Sequence, residues 1–543
     1  MRVLFIYTDI GISVGYSCGI GALSAHLKRH GHDTKLLHVS DELGYALNPT
    51  RIVQDVLDYD PGLICFSSVT NQWFYCKTLA RFIRRSCDIP ICVGGHHANS
   101  AARDIIAEPS VDYVCKGEGE VPLLELVNRL ERGESTLDVP NMLVKVERSI
   151  IEEGYLSTGT GDVVAKPGAI VASFDLDDRH SVIENKVGRW IDDLDQLEFE
   201  DRDVFNFAQI VDTRTGWAEV IASRGCPYAC TYCFNVPFFD MYKGDLKDTK
   251  DRVTMKDFVR RRSVDSTIAM LKGVLEKYPN VKYFTFVDDV FAIYSRWLAD
   301  LAPVYKREIG LPFAATSQPL AFNEKIASLL AEMGCKVVKM GVEAGNPQIR
   351  KQVLNRNIPD QVLIDDFALA RKYKLKPQAF NMIGLPTETK DDMIQTARLN
   401  AQLRAYIVWY STFMPYPGTG LWDFCKSNDL MDEAKWDEVR SYRGGTVLKE
   451  KTFTHVELEK MRVMFRWYLN EALANECSDD YGRQIREFSA LPDDVWLSGE
   501  VETMWRDREN ELDAKYRRLQ VDHYVGKKYV NIFWAREYGY DMS

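Results

Sequence analysis

Through the first 135 residues, short apolar runs alternate with stretches of helical length and period. Val3–Tyr7, Thr34–His38, Leu63–Ser67, Ile91–Val93 and Asp112–Cys115 read as strands, with amphipathic helices over Gly19–His30, Gln72–Arg85 and Glu120–Arg132. This βα order predicts an α/β fold opening on a doubly wound parallel sheet, Rossmann-like, over residues 1–135. The pattern then changes. Met142–Val146 alternates, Gly154–Gly161 is rich in turn residues, and acidic, loop-like sequence runs to about Thr215, so residues 136–210 read as a linker with a small β element and a boundary near Asn185. From Ala218 the βα order resumes, with strands expected at Glu219–Ser223, Tyr283–Val287, Phe313–Ser317, Val337–Val342, Gln378–Ile383 and Ile407–Phe413. Residues 211–420 therefore predict a second parallel sheet, curled into a partial (β/α)6 barrel whose active face lies at the C-terminal strand ends. Beyond it, residues 421–543 turn mainly helical and rich in Trp, Tyr and Arg, a C-terminal helical cap.

Composition narrows the class. Hydrophobic residues at 46% and charged residues at 27% are ordinary globular usage, which excludes wholesale disorder. Lys and Arg number 68 against 79 Asp and Glu, a net charge of −11 with no long basic run, so nucleic acid is not an expected partner. The apolar start Val3–Tyr7 is far too short for a signal segment or a membrane span, so an unprocessed, cytoplasmic chain without stable membrane insertion is expected. The twelve cysteines, several inside apolar runs (Cys65, Cys92, Cys115), lack the spacing of a secreted disulfide scaffold and fit a reducing compartment.

Three of those cysteines cluster. Directly after the strand expected at Glu219–Ser223 comes Arg224-Gly225-Cys226-Pro227-Tyr228-Ala229-Cys230-Thr231-Tyr232-Cys233, thiols at C-x3-C-x2-C spacing. Thiolates are soft ligands suited to zinc, copper(I) or iron–sulfur clusters. A structural zinc site takes four protein ligands, and no Cys or His in the next hundred residues pairs obviously with the trio. Three thiolates on a four-iron cluster leave one iron open, and this reading is preferred to zinc and to unligated thiols.

The triple, with the aromatic Tyr232 before its last cysteine, resembles the radical S-adenosylmethionine (SAM) superfamily. The likeness extends through Phe286-Val287-Asp288-Asp289-Val290-Phe291, Gly341-Val342-Glu343-Ala344-Gly345, Met382-Ile383-Gly384-Leu385-Pro386-Thr387-Glu388-Thr389 and Met414-Pro415-Tyr416-Pro417-Gly418-Thr419, each at an expected strand end. It implies that Cys226, Cys230 and Cys233 hold an oxygen-sensitive [4Fe-4S] cluster, whose open iron binds SAM and whose electron cleaves it to a 5′-deoxyadenosyl radical. Tyr232, Asp288, Ser317, Glu343 and Gly384 are the implied SAM contacts. Asp288 and Glu343 also read as helix caps or turn residues, and the Gly384 turn as purely structural.

The first domain carries Ser67-Ser68-Val69-Thr70, Gly94-Gly95-His96-His97 and Lys116-Gly117-Glu118-Gly119-Glu120 after its third, fourth and fifth strands. All three should line one crevice, where glycines admit a bulky ligand. No clean G-x-G-x-x-G follows the first strand, so a dinucleotide is not indicated. The pattern resembles the cobalamin-binding domain that precedes the radical core in one large SAM subgroup. That implies cobalamin contacts from Ser67, Ser68, Thr70, Gly94, Gly95, His96, Gly117, Glu118, Gly119 and Glu120. The Asp-x-His-x-x-Gly loop of methyl-carrying corrinoid enzymes is missing, which leaves the lower axial position unassigned; His96 and His97 read as corrin contacts or as turn residues.

The joint architecture resembles cobalamin-dependent radical SAM methyltransferases. It implies methyl transfer, via methylcobalamin, to an unactivated carbon or phosphorus of a small-molecule substrate, with an electron donor such as flavodoxin or ferredoxin. The alternatives are a cobalamin-dependent cyclase or oxidative enzyme without methyl transfer, and a cobalamin or SAM sensor. No motif sets the substrate or the oligomeric state. Tyr442, Arg443, Trp467, Tyr468, Trp496, Trp505 and Tyr524 of the cap read either as a substrate-pocket wall or as core.

Overall fold

The strands β1 (Arg2–Thr8), β2 (Asp33–Val39), β3 (Leu63–Ser67), β4 (Ile91–Gly94) and β5 (Tyr113–Cys115) pair in parallel in the order β2-β1-β3-β4-β5. Their near-continuous apolar runs follow from burial on both faces: Val3, Leu4, Phe5 and Ile6 are fully inaccessible, as are Leu63 and Ile64. Helices α1 (Cys18–Arg29), α2 (Pro49–Tyr59), α3 (Trp73–Arg84), α4 (His96–Ile106) and α5 (Glu120–Arg132) supply the crossovers. Ser17 caps α1 by accepting from the Ile20 amide, and Gly133 ends α5 in the left-handed region. The strand order reverses between β2-β1 and β3-β4-β5, which opens a crevice at the C-terminal ends.

The computed structural model describes residues 1–152, 170–246, 253–436, 445–525 and 530–531. The stretch expected to be a linker instead extends the first sheet. β6 (Met142–Glu147), β7 (Ile170–Asp175) and β8 (His180–Asn185) add antiparallel strands in the order β5-β6-β8-β7, so the sheet is mixed. The cause is the apolar run Met142, Leu143 and Val144, which is buried against that edge. The turn expected at Gly154–Gly161 lies outside the described residues.

The chain divides into two units, the first comprising Met1–Ala229, Cys233–Lys282 and Tyr416–Thr419, the second Cys230–Tyr232, Tyr283–Pro415 and Gly420–Ser543. In the first, the strand expected at Glu219–Ser223 is broken into β9 (Trp217–Val220) and β10 (Ser223–Arg224), the latter paired antiparallel with β11 (Arg260–Arg261).

In the second unit, β12 (Tyr283–Phe286), β13 (Phe313–Ser317), β14 (Cys335–Glu343), β15 (Lys376–Ile383) and β16 (Ile407–Thr412) are parallel, in the order β16-β15-β14-β13-β12. Helices Ser295–Glu308, Glu324–Met333, Asp360–Lys372 and Lys390–Leu403 alternate with them, giving the α/β partial-barrel arrangement. Thr389 and Asp392 form a reciprocal capping box on the last of these, as do Thr454 and Glu457 on helix His455–Glu471, which packs against it. Within the cap, Trp467 and Tyr524 are fully buried and Tyr468 and Trp496 nearly so, which makes them core; Trp505 is half-buried. Tyr442 and Arg443 lie outside the described residues. Two short strands absent from the expected helical cap, β17 (Tyr524–Val525) and β18 (Val530–Asn531), also join this sheet, antiparallel. Among the described residues no helix is long and apolar enough to cross a membrane.

Candidate functional site

The cysteine segment begins on a glycine that nothing else can replace. Gly225 sits at φ +88°, and a Cβ there would meet the Phe258 carbonyl oxygen at 2.3 Å, so only glycine lets the chain leave β10 and enter Cys226. Cys226 and Cys233 are half-buried and Cys230 is buried; all three are thiols outside any disulfide. Cys226 and Cys233 belong to the first unit, whereas Cys230–Tyr232 belong to the second. There the Thr231 hydroxyl donates to the Val353 carbonyl at 2.6 Å, and the Thr231 carbonyl accepts from the Leu421 amide at 2.9 Å.

Around Cys230 the second unit assembles a polar group that the sequence reading found only in part. Arg356 Nη1 donates to Cys230 Sγ at 3.5 Å, and its Nη2 donates to Gln318 Oε1 at 3.0 Å and to the Gly341 carbonyl at 2.8 Å. Tyr232 hydrogen-bonds to the Glu343 carboxylate. Glu343 ends β14 at φ +70°, a left-handed conformation strained for a side-chain-bearing residue, and its carboxylate folds back so that a Cβ on Gly341 would meet Oε1 at 2.1 Å. Burial pushes the Glu343 carboxyl above its ordinary pKa, against the pull of Arg356 and Tyr232. Burial opposes the charge on Arg356 as well, but Tyr232, Glu343 and Cys230 outweigh it and raise that pKa. Arg356 and Gln318 escaped the sequence reading. Arg356 follows a π-helical turn, Ile349–Val353, which apolar periodicity does not report.

The other expected SAM contacts have partners of their own. Asp288, just past β12, is buried, and its carbonyl accepts from Thr316 Oγ1 at 2.8 Å. Ser317 donates its hydroxyl to the Ala292 carbonyl at 2.9 Å. Gly384, at φ +74°, lies where a Cβ would stand 2.9 Å from Leu458 Cδ1. Four residues on, Glu388 is wholly buried and accepts from the Leu385 amide at 2.8 Å.

In the first unit the loops after β3, β4 and β5 converge. Ser68 donates its amide to the Gly94 carbonyl at 2.9 Å and accepts from the His97 amide at 3.0 Å, and Thr70 Oγ1 lies 3.2 Å from His97 Nδ1. Gly95 sits at φ +93°, with a Cβ position 2.7 Å from the Ser68 carbonyl oxygen, so the β4 loop lies directly on the β3 loop. His97 is buried, which together with the charge of Lys77 lowers its pKa to about 4 and keeps the imidazole neutral. Gly95 and His96 are exposed; the His96 ring is 6.0 Å from Phe234, next to Cys233, and Phe234 is 4.9 Å from Tyr416. The Gly117 amide donates to Asn99 Oδ1 at 2.7 Å, and Gly119 leaves room for Leu23.

Glu118 and Glu120 turn inward. Arg260 and Arg224 approach Glu118 Oε1 at 2.9 and 3.3 Å, and Arg224 donates to Glu120 Oε1 at 2.5 Å. Burial pushes the Glu120 carboxyl up, but Arg224 prevails and holds it below the ordinary value. Neither arginine was foreseen as part of the site.

Among the described residues no three Cys, His, Asp or Glu side chains are gathered into a ready metal cage. The fit to an iron–sulfur cluster therefore rests on the donor set: three soft thiols at C-x3-C-x2-C spacing, one of them within hydrogen-bond reach of the Arg356 guanidinium. The fit to a corrin rests on Gly94 and Gly95. A Cβ on Gly94 would have nothing nearer than 3.9 Å, and Gly95 is exposed beside it, so the rim of the crevice is bare backbone.

Comparison with known proteins defines the class. The model of the radical SAM superfamily matches residues 220–399, and that of the B12 binding domain matches residues 13–127. An uncharacterised methyltransferase of Pyrococcus horikoshii is 24% identical over 445 residues, covering 81% of this chain and 84% of its own. An anaerobic magnesium-protoporphyrin IX monomethyl ester cyclase of Cereibacter sphaeroides is 21% identical over 87% of this chain and 71% of its own. Among solved structures, the radical SAM methyltransferase TsrM of Kitasatospora setae, with cobalamin and a [4Fe-4S] cluster bound, superposes with a TM-score of 0.56 at 14% identity, covering 80% of this chain and 78% of that one; the likeness is one of fold. This chain is a radical SAM enzyme in which a B12-binding domain precedes the radical core. Its cofactors are accordingly a [4Fe-4S] cluster, SAM and cobalamin.

Proposed function

We propose that the protein is a cobalamin-dependent radical SAM methyltransferase acting on an unactivated carbon or phosphorus of a small molecule. The observation that carries this reading is the pairing of two features in one chain: the C-x3-C-x2-C cysteine triple behind the Gly225 turn, and the bare-backbone rim at Gly94 and Gly95. Both the methyltransferase relative and the methyltransferase of similar fold support it.

In this reading the cluster supplies the electron that cleaves SAM, and cobalamin relays the methyl group. Cys226, Cys230 and Cys233 hold the cluster. Arg356 keeps a positive charge beside Cys230, and Glu343 and Tyr232, locked to each other, present a fixed polar face to SAM, joined by Asp288, Ser317 and Gly384. Ser67, Ser68, Thr70, Gly94, Gly95 and His96 hold cobalamin with the backbone of Gly117–Glu120, within a domain of residues 1–135 that precedes a radical core of residues 211–420. A cytoplasmic setting with a flavodoxin or ferredoxin donor suits twelve cysteines that form no disulfide.

The test needs no knowledge of the substrate. Anaerobically reconstituted protein, given methyl-labelled SAM, reductant and hydroxocobalamin, should release S-adenosylhomocysteine and carry the label to the corrinoid. Release of 5′-deoxyadenosine with no S-adenosylhomocysteine would support the cyclase reading that the Cereibacter relative raises. Neither product would refute both.

A further inference from the structure

Glu118 and Glu120 sit in the glycine-rich segment expected to face the corrin, yet their carboxylates are only 8% and 5% exposed and are committed elsewhere. Arg224 and Arg260 are opposite partners on the β10–β11 pair, so both guanidinium groups reach Glu118 from one rung of the ladder. Glu118 Oε2 also accepts from the Ile191 amide at 2.9 Å, and Arg260 Nη1 donates to the Ile191 carbonyl at 2.8 Å. Arg260 Nε in turn donates to the Phe258 carbonyl at 3.1 Å, the very oxygen that presses on the Gly225 turn. The Glu118 amide donates to the Tyr242 hydroxyl at 2.6 Å, and Tyr242 packs in one apolar cluster with Trp190 and Phe258. Two carboxylates and two guanidinium groups balance in charge. They fix Arg224, two residues before Cys226, and Phe258, which shapes the residue between them.

We infer that Glu118 and Glu120 are positioning residues for the cysteine loop, acting through Arg224 and Arg260, and that their carboxylates are not corrin contacts. The loop after β5 of the B12-binding domain thereby sets where Cys226 stands, so the geometry of the cluster depends on a segment more than a hundred residues upstream. A charge-assisted, desolvated contact of this kind tolerates little play, because removing the Glu118 carboxylate takes the counter-charge from the buried Arg260, and removing that of Glu120 takes one of the two that hold Arg224. The inference rests on the reading of Cys226 as a cluster ligand.

The test uses the full chain with Glu118→Gln and Glu120→Gln, reconstituted with iron and sulfide under anaerobic conditions. Three readouts are taken: the electron paramagnetic resonance (EPR) spectrum and iron content of the dithionite-reduced protein, hydroxocobalamin affinity by titration, and the rate of Cys226 alkylation by iodoacetamide in metal-free protein. The expected result is an altered EPR spectrum with iron content reduced several-fold, alkylation of Cys226 accelerated several-fold, and hydroxocobalamin affinity unchanged. Wild-type iron content, spectrum and alkylation rate would overturn the inference. So would loss of corrinoid binding together with iron, because the carboxylates would then serve the whole unit. Where the Gln variant of Glu118 does not fold, Glu118→Asp, which keeps the charge on a shorter stem, is judged by the same criteria. Wild-type protein that takes up no iron sinks the cluster reading instead, and the alkylation comparison still decides the positioning role.

Discussion

Replacing Glu388 with Gln should flatten the dependence of stability on pH. The carboxyl is wholly inaccessible, Oε2 accepts from the Leu385 amide, and Oε1 has no hydrogen-bond partner. Burial pushes its pKa from 4.5 to about 8, against the pull of the Leu385 and Gly384 amides and with a small push from Asp392. The sign follows from comparing the two states. Below pH 4.5 both the folded and unfolded chains hold the proton. Between 4.5 and about 8 the unfolded chain gives it up and the folded chain keeps it, so stability falls as pH rises, and above about 8 the loss is complete. The gap of 8 − 4.5 = 3.5 units, at about 1.4 kcal/mol per unit, makes the full loss about 5 kcal/mol. Gln keeps the acceptor for Leu385 and never ionises. Urea midpoints of wild type and Glu388→Gln, followed by the fluorescence of the second unit from pH 5 to pH 8.5, should lie close together at the acid end. They should diverge in favour of the variant as pH rises. A difference between the two proteins that stays constant across this range would refute the reasoning, since it would mean that the carboxyl titrates alike in both states.

Gly225→Ala combines a left-handed backbone, at about 1–2 kcal/mol, with a Cβ 2.3 Å from a carbonyl oxygen; iron content after reconstitution should fall sharply while hydroxocobalamin binding persists, as checked by iron assay and titration. Gly95→Ala, at φ +93° and ψ −172° with Ser68 backbone atoms 2.7 and 2.8 Å from the added carbon, should force the β4 loop off the β3 loop and weaken hydroxocobalamin binding, with iron uptake intact. Trp467→Ala removes a fully buried ring and should destabilise the second unit by about 3–5 kcal/mol in urea titrations, with cofactor binding retained below the transition; a change in substrate KM without loss of stability would instead make it a pocket wall.

The strands of the first sheet were legible because each is a buried apolar run set off by polar turns; Leu63–Ser67 falls where the pattern places it. Helix α4 was not. Its apolar stripe is carried by the small Ala98, Ala101 and Ala102 before Ile105 and Ile106, a weak hydrophobic signal, and its backbone breaks at Ala101, φ −136° and ψ 35°. In α2 the end signals are clear, with Asn48 as cap and Pro49 opening it, while the apolar stripe is thin, its buried residues being Ile52 and Val56. The extension through β6 and β8 depends on register between strands far apart in sequence, such as Leu143 opposite Glu184, which no local pattern encodes.

The same distinction governs the candidate site. The cysteine triple is a local signal, since seven residues of spacing carry it. Arg356 meets Cys230 across 126 positions and Arg224 meets Glu120 across 104, and a lone arginine in sequence says nothing about its partner. Sequence therefore assigns chemistry most securely where ligands are neighbours in the chain. It is ambiguous where an acidic residue stands in a glycine-rich segment beside an expected cofactor, because the two uses of that carboxylate, toward the ligand or toward an arginine, have the same local spelling. Folding decides between them by desolvation. At Glu118 and Glu120 the buried Arg260 and the half-buried Arg224 lie within reach, and a buried cation must have a counter-charge whatever lies on the open side of the loop. The glycines of the segment serve close packing as well, since a Cβ on Gly117 would stand 2.5 Å from the Tyr242 hydroxyl and one on Gly119 3.1 Å from Leu23.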